Sequence, residues 1–473
     1  MYSFRAIVTA FLVAFSFTAY AQTDSVLTLQ QCVDIAVRNN LQVKRSELDM
    51  ETSRIYYNQA RENLLPTING IVNHSISTGR DPFSNGSSSN RSINAADYNL
   101  NAGLVLFNGM SLQSSIRQTS LAFQAGKMDF QQAMDNITLN LITAYLQVQS
   151  NTDLLSQALA QAEVSKKQTE RLEILNKDGA VKPSEYYDVK GQYATDRLNL
   201  VDARNTLAVS KLSLLQMMNV PYQSTIQLQR LNAEQLPGKY STPVNTIYNT
   251  ALSDLALVKA AVLRRQSTEK QVKAARQSMF PVISLQGGIG TRYSSAASLS
   301  NSADSSTVNS GSYVVNSSGQ RQPVSYTQYG SLKYKYYDQL KNSYNTQVSV
   351  GLSIPFLNFF QNKNRVALAK ISLLDARYTE ENTKIQLKQN VEQAYLNMTA
   401  AYERYQVLTE QVAAFSESFR TAEIRFNAGV LNSVDFVVAK NNMDRANTNL
   451  INSRYDYYIR TKILDYYQGK LTL

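Results

Sequence analysis

The chain has little of what catalysis is usually built from. Its 473 residues hold one cysteine, Cys32, and one histidine, His74. A single cysteine excludes an internal disulfide framework and any Cys-x-x-Cys metal site, and a single histidine removes His-dependent catalysis and most zinc chemistry. Both read as structural bystanders, and no metal is expected. Gly-Lys occurs at 126, 238 and 469 but is followed by Met, Tyr and Leu, so there is no phosphate-binding loop. There is likewise no G-x-S-x-G nucleophile turn. Neither an enzyme nor a cofactor is expected. Tryptophan is absent beside 29 tyrosines, which fits a chain with much polar-facing aromatic surface.

Long apolar runs are also missing. Residues 1–21 read as a secretory signal peptide: Arg5, the apolar run from Ala6 to Phe17, then Ala19-Tyr20-Ala21 before Gln22. No later stretch approaches 20 uninterrupted apolar residues, so the exported chain is expected to lack a transmembrane helix. That leaves a soluble protein outside the inner membrane or a β-type membrane protein. The formal charge of +11 is spread among Glu and Asp on helical faces, which reads as solvated surface rather than a nucleic-acid footprint.

What is present is a sequence that repeats itself. At an offset of 250, Phe107–Asn219 matches Leu357–Gly469, with identities at Asn108/Asn358, Ala144/Ala394, Tyr145/Tyr395, Leu146/Leu396, Gly179/Gly429, Lys190/Lys440 and Arg204/Arg454. Upstream, an offset of 215 pairs Ala60-Arg61 and Pro66 with Ala275-Arg276 and Pro281. The chain is thus an internal tandem duplication, and the change of offset places 35 extra residues between Pro281 and Leu357.

Each copy carries segments of period two. Leu100, Ala102, Leu104 and Leu106 alternate with Asn99, Asn101, Gly103 and Val105; Val348, Val350, Leu352 and Ile354 alternate with Gln347, Ser349, Gly351 and Ser353. Ile283, Leu285 and Ile289 alternate with small and polar residues, and Thr67–Ser77 is the least regular segment. One apolar and one small polar face suits tilted membrane strands, although an ordinary half-buried sheet would look the same. Polar loops are expected between the strands of each pair, at Arg80–Ala96 and at 294–342.

The helical signal is stronger. Leu387, Val391, Ala394, Met398, Ala401, Tyr405, Leu408, Val412, Phe415, Phe419, Ala422 and Phe426 keep spacings of 4 and 3 without a slip, and the chain returns after Gly429 with Phe436, Ala439, Met443, Ala446, Leu450, Ser453, Tyr457, Arg460 and Leu464. This predicts an antiparallel coiled-coil hairpin. The first copy repeats it through Ile137, Leu141, Ala144, Val148, Leu155, Ala158 and Ala162, turning polar at Ser165, Thr169 and Asn176. A continuous tract from Phe359 to Asn427 would reach roughly 100 Å. Four strands cannot close a membrane barrel, so the chain is expected to oligomerise, three copies giving about twelve strands and a lumen.

The order of signal peptide, helix, Ala-Arg-x-x-x-x-Pro, strand pair and long hairpin, taken twice, resembles the TolC-like outer membrane factor family. The matching motifs are Ala60–Pro66 with its partner ending at Pro281, Leu106-Phe107-Asn108-Gly109 with Phe356-Leu357-Asn358, Ala144-Tyr145-Leu146 with Ala394-Tyr395-Leu396, and the tips Gly179-Ala180-Val181 and Phe426–Leu431. The resemblance implies a mixed α/β membrane protein in the outer membrane of a Gram-negative bacterium with its helical part in the periplasm. Long antiparallel coiled-coil hairpins forming an α-barrel would join a four-stranded contribution to a trimeric twelve-stranded transmembrane β-barrel. The expected divisions are a signal peptide (1–21), an N-terminal helix (22–66), a first strand pair (67–107), a first hairpin (108–220), an equatorial linker (221–245), a second-repeat helix (246–280), a second strand pair with a long extracellular loop at 294–342 (281–356), and a second hairpin (357–473).

The implied function is a passive exit duct for small-molecule efflux, driven by an inner-membrane transporter through a periplasmic adaptor protein. Two readings stay open beside it: an exit duct for type I protein secretion, and a periplasmic coiled-coil scaffold that conducts nothing. By resemblance, Gly179, Ala180, Val181, Gly429, Val430 and Leu431 form adaptor-contacting tips, while Glu185, Asp188, Phe426 and Asp435 are candidates for a periplasmic gate. The residues alone also allow a plainer account. The glycines suit left-handed helix ends, and Glu185 and Asp435 suit the first turn of a helix capped by Ser184 or Ser433. Leu431 stands where some members have an arginine and Val438 where some have a second acid, so the family's latch does not transfer in detail.

Overall fold

A computed structural model of the chain describes residues 26–81, 89–222, 226–230 and 239–470. The expected signal peptide and its cleavage site before Gln22 lie outside the described residues. Helices α1 (Leu29–Asn39), α2 (Leu41–Glu62), α3 (Ser111–Lys177), α4 (Pro183–Met217), α5 (Val244–Asp254), α6 (Ala256–Gln277), α7 (Tyr336–Asn342), α8 (Gln361–Asn427) and α9 (Ser433–Tyr467) alternate with strands β1 (Thr67–Asp81), β2 (Ser89–Phe107), β3 (Val282–Ser294), β4 (Ser298–Val315), β5 (Arg321–Lys333) and β6 (Asn345–Ser353). The chain divides into two compact units: Met1–Arg54, Leu121–Gln266 and Leu374–Leu473 form one, and Ile55–Ser120 with Ser267–Leu373 the other.

The first unit is helical, and two of its apolar cores use equivalent positions. Cys32 and Ala36 of α1 pack with Leu141 and Val148 of α3 and Leu214 of α4. Ile247 and Ala251 of α5 pack with Val391 and Met398 of α8 and Leu464 of α9. Each residue of the second set stands 215 or 250 positions after its counterpart. Cys32 therefore occupies an isoleucine's place and acts as a small buried hydrophobe. All twelve seam residues of α8 and all nine of α9 are buried or half-buried. Burying a Leu, Val or Met side chain fully contributes roughly 1.5–3 kcal/mol, so the seams and not intrinsic propensity hold these hairpins.

The repeat extends to the backbone. Helices α3 and α8 each have 67 residues, and α4 and α9 each have 35. Positive φ angles recur 250 residues apart at Gly109 and Phe359, Met110 and Phe360, Gly179 and Gly429, and Asn219 and Gly469. Where one helix was expected at 22–66 and another at 246–280, the structure has a broken pair in each. Asn40 and Leu255, 215 apart, are both extended and interrupt the helix. The reason is local at Asn40, whose side-chain oxygen accepts from the N–H groups of Gln42 (2.8 Å) and Val43 (3.3 Å) and so starts α2 afresh.

In the second unit, β1, β2, β3 and β6 form an antiparallel sheet in that order, leaving β1 and β6 as edges. The loops expected around these strands need correction. Of the loop expected at Arg80–Ala96, residues 80–81 belong to β1 and 89–96 to β2, and 82–88 lie outside the described residues. The expected loop at 294–342 holds the two-stranded ribbon β4–β5 and helix α7. Its Ser- and Asn-rich composition does rule out a core, but antiparallel pairing from Ser298↔Lys333 to Val315↔Arg321 needs none. The ribbon's base is fastened by one buried amide. Gln339 accepts from Ser294 N–H (2.8 Å) and donates to the carbonyls of Ser294 (3.0 Å) and Tyr334 (2.8 Å).

Candidate functional site: the hairpin tips

The turns between α3 and α4 and between α8 and α9 are built alike. Gly179 has φ +74° and Gly429 φ +73°. The N–H of Gly179 donates to Asn176 O (3.1 Å) and that of Ala180 to Leu175 O (2.8 Å); Gly429 donates to Phe426 O (3.1 Å) and Val430 to Arg425 O (2.9 Å). This is the Schellman pattern, in which a left-handed residue lets the chain satisfy the last carbonyls of the helix. A Cβ on either glycine would meet nothing within 4 Å, so the requirement is conformational and not steric.

The return helices start differently. Helix α4 has Lys182 at its cap with Pro183 next, and no side chain caps it; α9 is capped by Asn432, which accepts from Asp435 N–H at 2.8 Å. The expected caps Ser184 and Ser433 are thus displaced by their neighbours, and both serines lie inside helices. The Asn432 amide also donates to Asp435 Oδ2 at 2.9 Å, a side-chain contact that holds the capping amide in place. Glu185 is half-buried in the first turn of α4 and, among the described residues, has no side-chain partner. Both acids favour the positive end of their helix, by about 0.3–1 kcal/mol each.

Beneath the turns lies an apolar cluster drawn from both hairpins: Leu172, Tyr186, Val189, Phe426 and Phe436 are buried, with Val181 and Leu431 packed against them. Phe426 stacks on Phe436 with ring centroids 4.4 Å apart and planes 13° apart. Phe426 is therefore part of the cluster. Of the apolar pairs read as contact surface, Val181 and Leu431 turn inward, and only Ala180 and Val430 remain exposed.

Polar bonds between hairpins flank this cluster. Ser433, 2% exposed, donates to Asp188 Oδ2 at 2.8 Å. Arg171 donates to the Asn427 carbonyl at 2.6 Å and to its side-chain oxygen. Further along, Asn441 donates to Gln192 at 3.1 Å, and Lys440 sits between Asp196 (2.8 Å) and Asp444 (2.5 Å). Ser165 of α3 donates to Asp196 at 2.6 Å, drawing a third helix into the cluster. A crevice of about 450 Å³ with a mixed lining opens beside it, its polar side formed by Asp196, Asn441 and Asp444 and its apolar side by Leu154, Ala158 and Ala203. Burial pushes the Asp444 carboxyl above its ordinary value, further than Lys440 draws it down. The sequence reading missed Lys440 and Arg171. The available signal was the Lys190/Lys440 identity, together with Lys440 standing four residues after the buried Phe436 on a coiled-coil face. Among the described residues no group of His, Cys, Asp and Glu could hold a metal ion.

A chain with long hairpins ending in matching glycine turns and, in its other unit, a sheet with one polar and one exposed apolar face has the elements of a TolC-like outer-membrane channel. The chain belongs to the outer membrane efflux protein family, whose sequence model matches residues 32–220 and 247–469. It is 24% identical over 453 residues to the outer membrane protein TolC of Escherichia coli K12, covering 95% of this chain and 83% of that protein. It is 21% identical over 434 residues to toxin and drug export protein A of Aggregatibacter actinomycetemcomitans, covering 90% and 83%. The fold matches that of the Campylobacter jejuni CmeC outer membrane channel with a TM-score of 0.74 at 16% identity, over 96% of this chain and 91% of that one. The protein is an outer-membrane efflux channel of a Gram-negative bacterium, and its family is one of exit ducts.

Proposed function

We propose that the protein is the trimeric outer-membrane duct of a tripartite export system, through which small molecules leave passively while an inner-membrane pump, coupled by a periplasmic adaptor, supplies the energy. The observation that carries this reading is the sheet. Its edges β1 and β6 have no further strand partner among the described residues, and one face exposes Ile68, Val72, Ile76, Val348, Val350 and Leu352, each at least 62% accessible. Lipid does not tolerate open strand edges, so β1 of one copy has to pair with β6 of another, and three copies give about twelve strands and an open lumen. In this reading the helices lie in the periplasm, the ribbon β4–β5 faces the cell exterior, and the glycine turns with exposed Ala180 and Val430 meet the adaptor. Glu185, Asp188, Phe426 and Asp435 lie around the periplasmic mouth.

The experiment is a mass measurement on detergent extracts of outer membrane, paired with protease added to intact cells. A trimer cut between 294 and 342, with its hairpins whole, is the expected result. A soluble periplasmic monomer would return the chain to the scaffold reading, and cleavage at Gly179 or Gly429 would invert the orientation. A second reading, protein secretion through the same duct, draws on the name of the toxin and drug export relative. Deleting the protein and assaying drug sensitivity beside secreted protein separates the two.

A further inference from the structure

The sheet's polar face is uncharged over successive cross-strand rows. Asn69 stands opposite Asn101, Asn101 opposite Gly288 and Gly288 opposite Gln347. The row on one side is Thr67, Gly103, Gln286 and Ser349, and on the other Ile71, Asn99, Gly290 and Asn345. Residues of these rows share a face because alternate side chains along a strand point the same way. The next row brings Asp97 opposite Arg292, one charge of each sign. The opposite face over the same span carries Ile68, Leu100, Leu104, Leu285, Ile289, Val348 and Val350.

The glycines of β3 allow the amides of β2 to lie down across that strand. A Cβ on Gly288 would come to 3.0 Å from Asn101 Oδ1, and one on Gly290 would overlap Asn99 Oδ1 and come to 3.2 Å from Asn345 Oδ1. The result is a crevice of about 370 Å³ whose polar walls are Thr67, Asn69, Asn101, Gln286, Gln347 and Ser349. A carboxamide offers two donors and an acceptor with two lone pairs, so such a wall serves hydroxyl and amide groups of a solute alike. A ring of like charges in a low-dielectric wall would instead select ions by sign.

We propose that Asn69, Asn101 and Gln347 are specificity-determining residues of the duct, a charge-neutral row that holds departing solutes through their uncharged hydroxyl and amide groups and favours neither cations nor anions. The inference rests on the export-duct reading, which makes the polar face the lumen. It goes further in naming the residues that sort solutes at the membrane end and the chemistry by which they do so.

The test uses the full-length protein in planar bilayers under a KCl gradient. Asn101→Asp and Asn101→Lys are expected to move the reversal potential in opposite directions, with permeability ratios changing by roughly threefold each way. Maltotriose, a neutral polyhydroxylated probe, is expected to give transient current blocks in the unmodified channel whose dwell shortens roughly fivefold in Asn101→Leu. Should the charged variants fail to assemble, Asn101→Cys, modified after assembly with a negatively charged thiosulfonate, delivers the same readout. Cys32 stays silent in that experiment, since it is buried and burial pushes its thiol up to about 11. Conducting variants with an unchanged reversal potential would overturn the inference while leaving the duct intact. Absent or unaltered maltotriose blocks would overturn its hydrogen-bonding half. No conductance from the unmodified protein would instead remove the export reading itself.

Discussion

The ammonium of Lys440 lies 2.8 Å from the carboxylate of Asp196, with side chains only 2% and 3% exposed, and this pair ties α9 of the second hairpin to α4 of the first. A buried pair of this kind adds little net stability over an apolar equivalent, but removing one partner strands the other's charge. Lys440→Met leaves Asp196 uncompensated and is expected to cost about 3–5 kcal/mol, read as a lowered thermal midpoint in detergent. Asp196→Asn should cost less, because Lys440 keeps Asp444 at 2.5 Å. Equal losses in the two variants would contradict this account.

A second ion cluster makes stability depend on pH. Glu380 accepts from Arg265 at 2.6 Å and Lys384 at 2.5 Å, and it is 9% exposed. Burial alone would raise its carboxyl, but the two cationic donors outweigh that and hold it below the ordinary 4.5. A lowered folded-state value means that the stabilisation is fully present above 4.5 and disappears as pH falls through the folded value beneath it. Glu380→Gln is therefore expected to cost about 1–2 kcal/mol at neutral pH, the partners being partly solvated. That gap should close on acidification below 4.5, and thermal midpoints measured across pH check it.

The helical seams were legible because coiled-coil spacing is a property of the sequence alone, and the sheet's faces because alternation is. The offset of 250 even located left-handed residues, since Gly179 and Gly429 follow long helices in both copies. The misses have two physical causes. The ribbon β4–β5 was hidden because a two-stranded pairing is satisfied by backbone hydrogen bonds, which leave no hydrophobic pattern. At the tips, Asn432 took the cap from Ser433 because that serine is directed to Asp188 instead, a contact 245 residues away in sequence. Lys440 was passed over because a buried charge is recognisable only with its partners, and the most deeply buried of these, Asp196, comes from another helix.

The repeated left-handed positions differ in how much they depend on glycine. Gly109, at φ +66°, would place a Cβ 2.7 Å from the Gln277 carbonyl oxygen and against Phe280, whereas Gly179 and Gly429 have open space around them. Alanine at Gly179 or Gly429 should cost only the backbone strain, about 1–2 kcal/mol. Gly109→Ala adds a collision with backbone and is expected to cost clearly more. Its counterpart Phe359 adopts φ +51° as a non-glycine residue and is 87% exposed. Phe359→Gly should relieve that strain, and comparing thermal midpoints of the four variants tests the ranking.

The tip acids separate helix capping from control of permeation. If Asp435 serves only to hold the capping Asn432 amide, Asn432→Ala and Asp435→Asn should each lower stability, by about 1 kcal/mol for the lost Asn432 cap, and leave ion selectivity unchanged. If Glu185 and Asp435 also line the periplasmic mouth, threefold symmetry gathers their carboxylates around one opening, where they favour cations and attract divalent ions. Glu185→Gln combined with Asp435→Asn preserves size and removes the charge. Single-channel recordings of that double variant, with the trimer intact, are then expected to show weaker cation preference and less block by divalent cations. Arg171→Ala acts differently, because it removes the link to Asn427 that joins the hairpins while leaving both acids in place. It should raise the open probability without altering selectivity, so the two measurements distinguish a residue that filters ions from one that holds the mouth shut.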